Sequence, residues 1–137
     1  MTAYIDTSVV LRALLIQPGP RPNLQRWSRL CTSALLGVEA RRTFDRMRLL
    51  GMLTDAQRAA AAAALETALE ALDVAPVTAA VLECAGQPFP TVIGTLDAIH
   101  LATAVLLDRE EPIGTFLTHD RQLALAAQSA GFAVEGV

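Results

Sequence analysis

The chain has 137 residues, 53% of them hydrophobic and 18% charged, with a formal net charge of −3. That length suits one domain with a substantial core, and the negative balance argues against nucleic-acid binding by bulk charge alone. A nuclease is not excluded, because carboxylates that hold a metal carry uncompensated charge until the ion arrives.

The chain opens with "MTAYIDTSVVL", in which Asp6 is the only charged side chain. It lacks the basic stretch and long apolar core of a signal peptide. Residues 3–7 read as a short buried strand and 8–16 as the helix that follows. "QPGPRPN" at 17–23 is a loop, since its prolines and glycine cannot continue a helix. Residues 24–29 predict a short helix carrying Trp27. "RLCTSA" gives a strand that runs into a helix from Ser33 to Leu50, with Ser33 as its N-cap and Gly51 as its stop.

"TDAQ" at 54–57 is a capping-box pattern ahead of a run of alanines, and Leu65, Leu69 and Leu72 keep a helical stripe toward the core. "LDVAPV" predicts a strand, Thr78–Gly86 a helix, and "GQPFPTVIG" at 86–94 a loop. "TLDAIHLATAVLLD" is a mostly apolar helix, "PIGTFLT" a strand, "HDRQLALAAQSAG" a helix ended by glycine, and "FAVEGV" a last strand. Strands alternating with helices predict an α/β fold, a central parallel sheet with helices on both faces, in a single domain over residues 1–137. No apolar run approaches the roughly 18–20 residues of a membrane span. Cys31 and Cys84 make neither a disulfide framework nor a zinc pattern, which fits a reducing cytoplasm.

In a parallel α/β sheet, sites form where the carboxyl ends of strands lead into helices. Asp6 ends the first strand, Asp120 follows the strand "GTFLT", Asp97 lies in the first turn of its helix, and Glu39 lies about a turn and a half into its own. Each acid also has a purely structural reading. Asp97 and Asp120 suit helix N-termini, Glu39 suits an i,i+3 pair with Arg42, and a Thr7 or Ser8 hydroxyl with local amides would satisfy Asp6. Brought together, however, such carboxylates repel and raise one another's pKa unless a cation joins them. Hard oxygen ligands with no Cys or His cluster suit Mg²⁺ or Mn²⁺, ions that activate water and neutralise phosphate charge.

The blocks "YIDTSVVL", "TSALLGVEARR", "TLDAIHLATA" and "FLTHDRQLALAA" resemble the PIN-domain ribonucleases, and most of all the toxin subunits of VapBC toxin–antitoxin pairs. The resemblance runs over nearly the whole chain. It implies a PIN-like three-layer fold and a metal-dependent endoribonuclease that inhibits translation. It places the catalytic and metal-holding acids at Asp6, Glu39, Asp97 and Asp120, with Thr118 as the hydroxyl accompanying the last of them and Thr7 in support. It also implies a homodimer and a cognate antitoxin whose segment fills the cleft. The chain departs from the family at Gly94, where many relatives carry a basic residue. Some relatives also have a further acid near the last strand; here Asp108, Glu110 and Glu111 read as a charged turn.

His100, three residues after Asp97, reads as a core histidine bonded to backbone or as a group that orients a ligand. His119 reads as exposed. Arg12, Arg41, Arg42 and Arg121 each follow an acid block and are candidates to hold RNA phosphates, although a solvated helix face accounts for each equally well. Trp27, between Arg26 and Arg29, reads as a contact for a base or a partner helix. Two rival functions remain at this point. One is a phosphohydrolase that forms an aspartyl-phosphate on Asp6, disfavoured because the chain has no lysine to hold the phosphoryl group. The other is a non-catalytic binding module on the same fold.

Overall fold

Strand β1, Thr2–Ile5, is buried along its whole length, as expected of a middle strand covered on both faces. The computed structural model describes residues 1–137. In it β1 pairs with β2 (Arg29–Ser33) on one side and β4 (Thr115–Leu117) on the other, with β3 (Asp73–Ala75) and β5 (Ala133–Glu135) at the edges. All pairings are parallel, and the order is β3-β2-β1-β4-β5. After β1 the chain builds outward through β2 and β3, then crosses back to β4. The sheet's switch point therefore lies between β1 and β4, where a crevice opens at the carboxyl ends of the strands.

The period-two alternation of β1 sorts the core. Ala3 and Ile5 join Val9, Leu36, Phe44, Leu65 and Leu117 beneath helices α1 (Thr7–Leu14), α2 (Leu35–Leu49) and α3 (Asp55–Glu70). Tyr4 faces the other way, with Leu101, Phe116, Leu123 and Phe132, beneath α5 (Thr95–Glu110) and α6 (Arg121–Ser129). Helix α4 (Ala79–Ala85) lies outside α5 and buries Val81 against Ile99 and Ala102. Covered by both the sheet and α4, α5 is buried without a break from Ala98 to Ala104, which is why its sequence shows so little polar face. No helix is long and apolar enough to cross a membrane.

The predicted elements are present, several with shifted ends. Strand β1 stops at Ile5, so Thr7 belongs to α1 and Asp6 is the lone junction residue, its carboxylate capping the helix by accepting from Ser8 N. Ser33 finishes β2 instead of capping α2; the cap position is Ala34, although the Ser33 hydroxyl accepts from Leu35 N. The capping box of Thr54 and Gln57 forms in full, and Gly51 takes a positive φ of 73° after α2. Trp27 overturns its reading as a partner contact: it is 9% exposed and packs in the core with Ala3 and Ile5, leaving Arg26 stacked over its ring at 5.0 Å. The burial follows from Leu24–Arg26 forming a single 3-10 turn that leads straight into β2.

Candidate active site

Two hydroxyls stitch together the β1–α1 and β4–α6 junctions. Ser8 Oγ donates to Asp6 Oδ1 at 2.6 Å and accepts from His119 N at 2.9 Å. Thr118 Oγ1 donates to Asp6 Oδ2 at 2.9 Å and accepts from Asp120 N at 3.0 Å. The Asp6 side chain, in a residue only 4% exposed, thus has a donor on each oxygen. Burial nevertheless pushes its carboxyl above the usual range, against the pull of Ser8, His100 and Thr118. Sequence reasoning anticipated the Ser8 contact and assigned Thr118 beside the acids. It missed Gly136, which lies just past β5 at a φ of 110°. A Cβ there would stand 2.4 Å from the Thr118 carbonyl oxygen, so only glycine lets the chain pass this close.

Asp120 sits exposed at the start of α6, where its Oδ1 accepts from Gln122 N and Leu123 N. Its helix-capping role is therefore real and leaves Oδ2 outside those bonds. Glu39, on the second turn of α2, is held by Thr7 Oγ1 and by His100 Nε2. Burial raises its pKa, but those two hydrogen bonds outweigh burial and the net direction is down. Hence the i,i+3 pairing of Glu39 with Arg42 does not form; Arg42 pairs with Asp45 instead. His100 is fully buried as expected, yet it bonds to side chains rather than to backbone.

Asp97 differs from the other three. It lies in the first turn of α5, but the cap there is Gly94, which offers no side chain. Its carboxyl is pushed up to about 6 by burial first and then by the charges of Asp120, Asp6 and Glu39, with only His100 pulling the other way. Asp97 thus lies near enough to acids from three other elements for their charges to oppose its ionisation. Nor does the protein supply a matching cation. The arginine ion pairs engage Glu135, Asp73, Glu111, Glu66, Asp45 and Asp55, not the acids of the crevice.

Oxygen donors with uncompensated charge fit a hard divalent cation. As the side chains stand, no group of three or more His, Cys, Asp or Glu could hold a metal ion by itself. An open arrangement suits Mg²⁺ in particular, which keeps several waters and takes one or two carboxylates plus substrate phosphate.

The arginines fall differently. Arg12 donates to the carbonyl of Pro20, Arg41 pairs with Glu66, and Arg42 is turned to Asp45. Arg121 is exposed beside Asp120 and takes part in none of the ion pairs. His119 is not the exposed residue expected: its Nδ1 donates to the Gly136 carbonyl at 2.6 Å and its Nε2 is buried. Asp108 accepts from Ile113 N in the turn out of α5, and Glu111 pairs with Arg29.

Known proteins resemble this chain in sequence and in fold. The PIN domain family model matches residues 3–128. Ribonuclease VapC46 of Mycobacterium tuberculosis is 33% identical over 135 residues, covering 96% of this chain and 94% of that protein. Ribonuclease VapC47 from the same species is 29% identical over 130 residues, covering 94% and 92%. Among solved structures, VapBC2 from Rickettsia felis, bound to a DNA fragment from its promoter, superposes with a TM-score of 0.69 at 14% identity, covering 98% of both chains. FitAcB from Neisseria gonorrhoeae gives 0.66 at 20% identity, covering 98% and 96%. These two likenesses concern the fold. By the family match across the acid-bearing blocks and by its relatives along nearly its full length, the chain belongs to the PIN-domain family, in its VapC-like group.

Proposed function

We propose that residues 1–137 act as a single PIN domain, a divalent-metal-dependent endoribonuclease that is the toxin of a toxin–antitoxin pair in the cytoplasm and arrests translation by cutting RNA. The carrying observation is the Asp97 carboxyl, raised to about 6 by burial and by three acidic neighbours with no arginine to offset them. Such a site is costly to fold and is explained by a cation that it binds.

Asp6, Glu39, Asp97 and Asp120 would hold Mg²⁺ or Mn²⁺. When bound, such an ion supplies activation of water and neutralisation of charge on the scissile phosphate. The chain's own residues do the rest. Ser8 and Thr118 orient Asp6, and the first turn of α6 orients Asp120 through its free N–H groups. Asp97, its carboxyl raised to about 6, is ionised above that pH and ready to ligate. Arg121, exposed and outside the ion pairs, would hold an RNA phosphate, whereas Arg12 and Arg42 would first have to release their present partners. The relatives' names and the VapBC structure support an antitoxin partner, and we include a homodimer of this chain in the same proposal.

The aspartyl-phosphate route finds no support: the chain has no lysine to hold a phosphoryl group, and Asp6 is only 4% exposed. The test is incubation of the purified chain, freed of any antitoxin, with structured RNA in Mg²⁺ or Mn²⁺ and again in chelator. The proposal expects cutting in metal and none in chelator. Metal-independent cutting, or phosphate trapped on Asp6, would refute it; binding without cutting of tRNA, rRNA and mRNA fractions alike would instead favour the binding module.

A further inference from the structure

Glu39 is held unevenly. Its two protein donors, Thr7 Oγ1 and His100 Nε2, reach the same oxygen, Oε1, each at 2.6 Å, and neither bonds to Oε2. The donors come from beside two of the other acids: Thr7 follows Asp6 at the start of α1, and His100 follows Asp97 by one turn of α5. A carboxylate oxygen only accepts, so the shared proton belongs to His100 Nε2. On the far side of the ring, the Tyr4 hydroxyl and Nδ1 are hydrogen-bonded at 2.8 Å. Tyr4 is itself fully buried and stacked on Phe116 at 4.9 Å, so the far end of the chain of contacts is fixed by the sheet. A histidine 1% exposed could have been satisfied by any backbone carbonyl; here both nitrogens are committed to side chains, one of them an acid of the crevice.

We propose that His100, backed by Tyr4 and assisted by Thr7, is a positioning residue that clamps Glu39 through Oε1 and reserves Oε2 for the divalent ion. The inference rests on the metal-dependent reading given above. Its physical content is preorganisation. An unanchored glutamate must have its side chain ordered when the ion binds, whereas one held at Oε1 has met that cost in folding. Partners of this kind around metal ligands are commonly worth 10- to 100-fold in metal affinity.

The test is Mn²⁺ titration of the antitoxin-free chain, following the electron paramagnetic resonance of free Mn²⁺, with thermal unfolding recorded for every variant. Glu39→Gln and His100→Leu should each weaken Mn²⁺ binding about 10- to 100-fold. His100→Gln, which restores an N–H donor, should lose less than His100→Leu, and Thr7→Val, which keeps the side-chain shape, should lose several-fold. A His100→Leu protein that is folded and less stable yet binds Mn²⁺ as tightly as the parent would reduce His100 to a structural role and overturn the inference. Equal losses in His100→Leu and His100→Gln would do the same, because packing rather than the N–H would then matter. If His100→Leu does not fold, Thr7→Val decides, and unchanged affinity there contradicts the clamp. Failure of the inference is separable from failure of the metal reading. Weakened binding in Asp97→Asn with none in Glu39→Gln removes the clamp alone; a parent chain that binds no Mn²⁺ removes both.

Discussion

Asp97 carries the clearest residue-scale consequence of placing four acids around one crevice. Its pKa rises on folding from the ordinary carboxylate range to about 6, so between roughly pH 4 and 6 the folded state holds more proton than the unfolded chain. Stability of the metal-free protein therefore falls as pH rises through that window, and the cost persists at neutral pH. Asp97→Asn should stabilise the chelator-treated protein at pH 7.5 by about 1 kcal/mol, a figure reduced for screening of a half-exposed carboxylate. Near pH 4 the gain should disappear. Urea unfolding of both proteins at the two pH values checks this, and a loss of stability at pH 7.5 would contradict it. The sequence already showed why Asp6 needed explaining, since no countercharge flanked it, and it offered the Ser8 contact that the structure contains. It did not show that His100 would reach Glu39, because that pairing joins α2 to α5 across 61 positions of chain and has no local spacing signature. Trp27 was misjudged for a related reason: flanking arginines suggest a surface, but one 3-10 turn rotates the ring into the core while Arg26 stays outside over it.

At the scale of elements, local signals decided what tertiary packing did not contest. The capping box of α3 formed as written because both partners lie within one turn and are exposed. Thr54→Ala should cost about 1 kcal/mol, read as a fall in the urea midpoint with an unchanged m-value. Strand ends were less legible. "AYIDT" reads as continuous strand, yet Asp6 captures Ser8 N and turns Thr7 into the first residue of α1. Helix α1 itself ends early, and Ile16 just beyond it holds a φ of 52° while largely exposed. A β-branched side chain is strained there, so Ile16→Asn should raise the melting temperature by about 2–4 °C. An unchanged or lower melting temperature would mean that the strain is relieved by contacts of the isoleucine side chain.

For the whole molecule, the sheet order explains why distant acids meet. With β1 in the centre and the crossover from β3 to β4 passing over it, the β1–α1 and β4–α6 junctions become neighbours, and α2 and α5 present their N-terminal turns at the same edge. Alternation of strands and helices was enough to predict a parallel sheet, but not its order, since no local feature says on which side of β1 a later strand will pair. If the crevice binds a cation in the folded state alone, saturating Mn²⁺ should stabilise the chain; at 100 times the dissociation constant the gain is about 2.7 kcal/mol. The same addition should leave Asp97→Asn with a much smaller shift, which thermal unfolding with and without Mn²⁺ measures directly. A shift of equal size in both proteins would place the ion elsewhere.

The most direct test of the central claim is the rate of Mg²⁺-dependent RNA cleavage by Asp97→Asn beside the parent chain, both antitoxin-free and verified as folded. The account predicts a variant that is at least as stable as the parent without metal and cuts at least about 100-fold more slowly. Cleavage by the folded variant at the parent rate would contradict it, because the acid whose carboxyl is raised by the charges of all three others would then have no part in the chemistry.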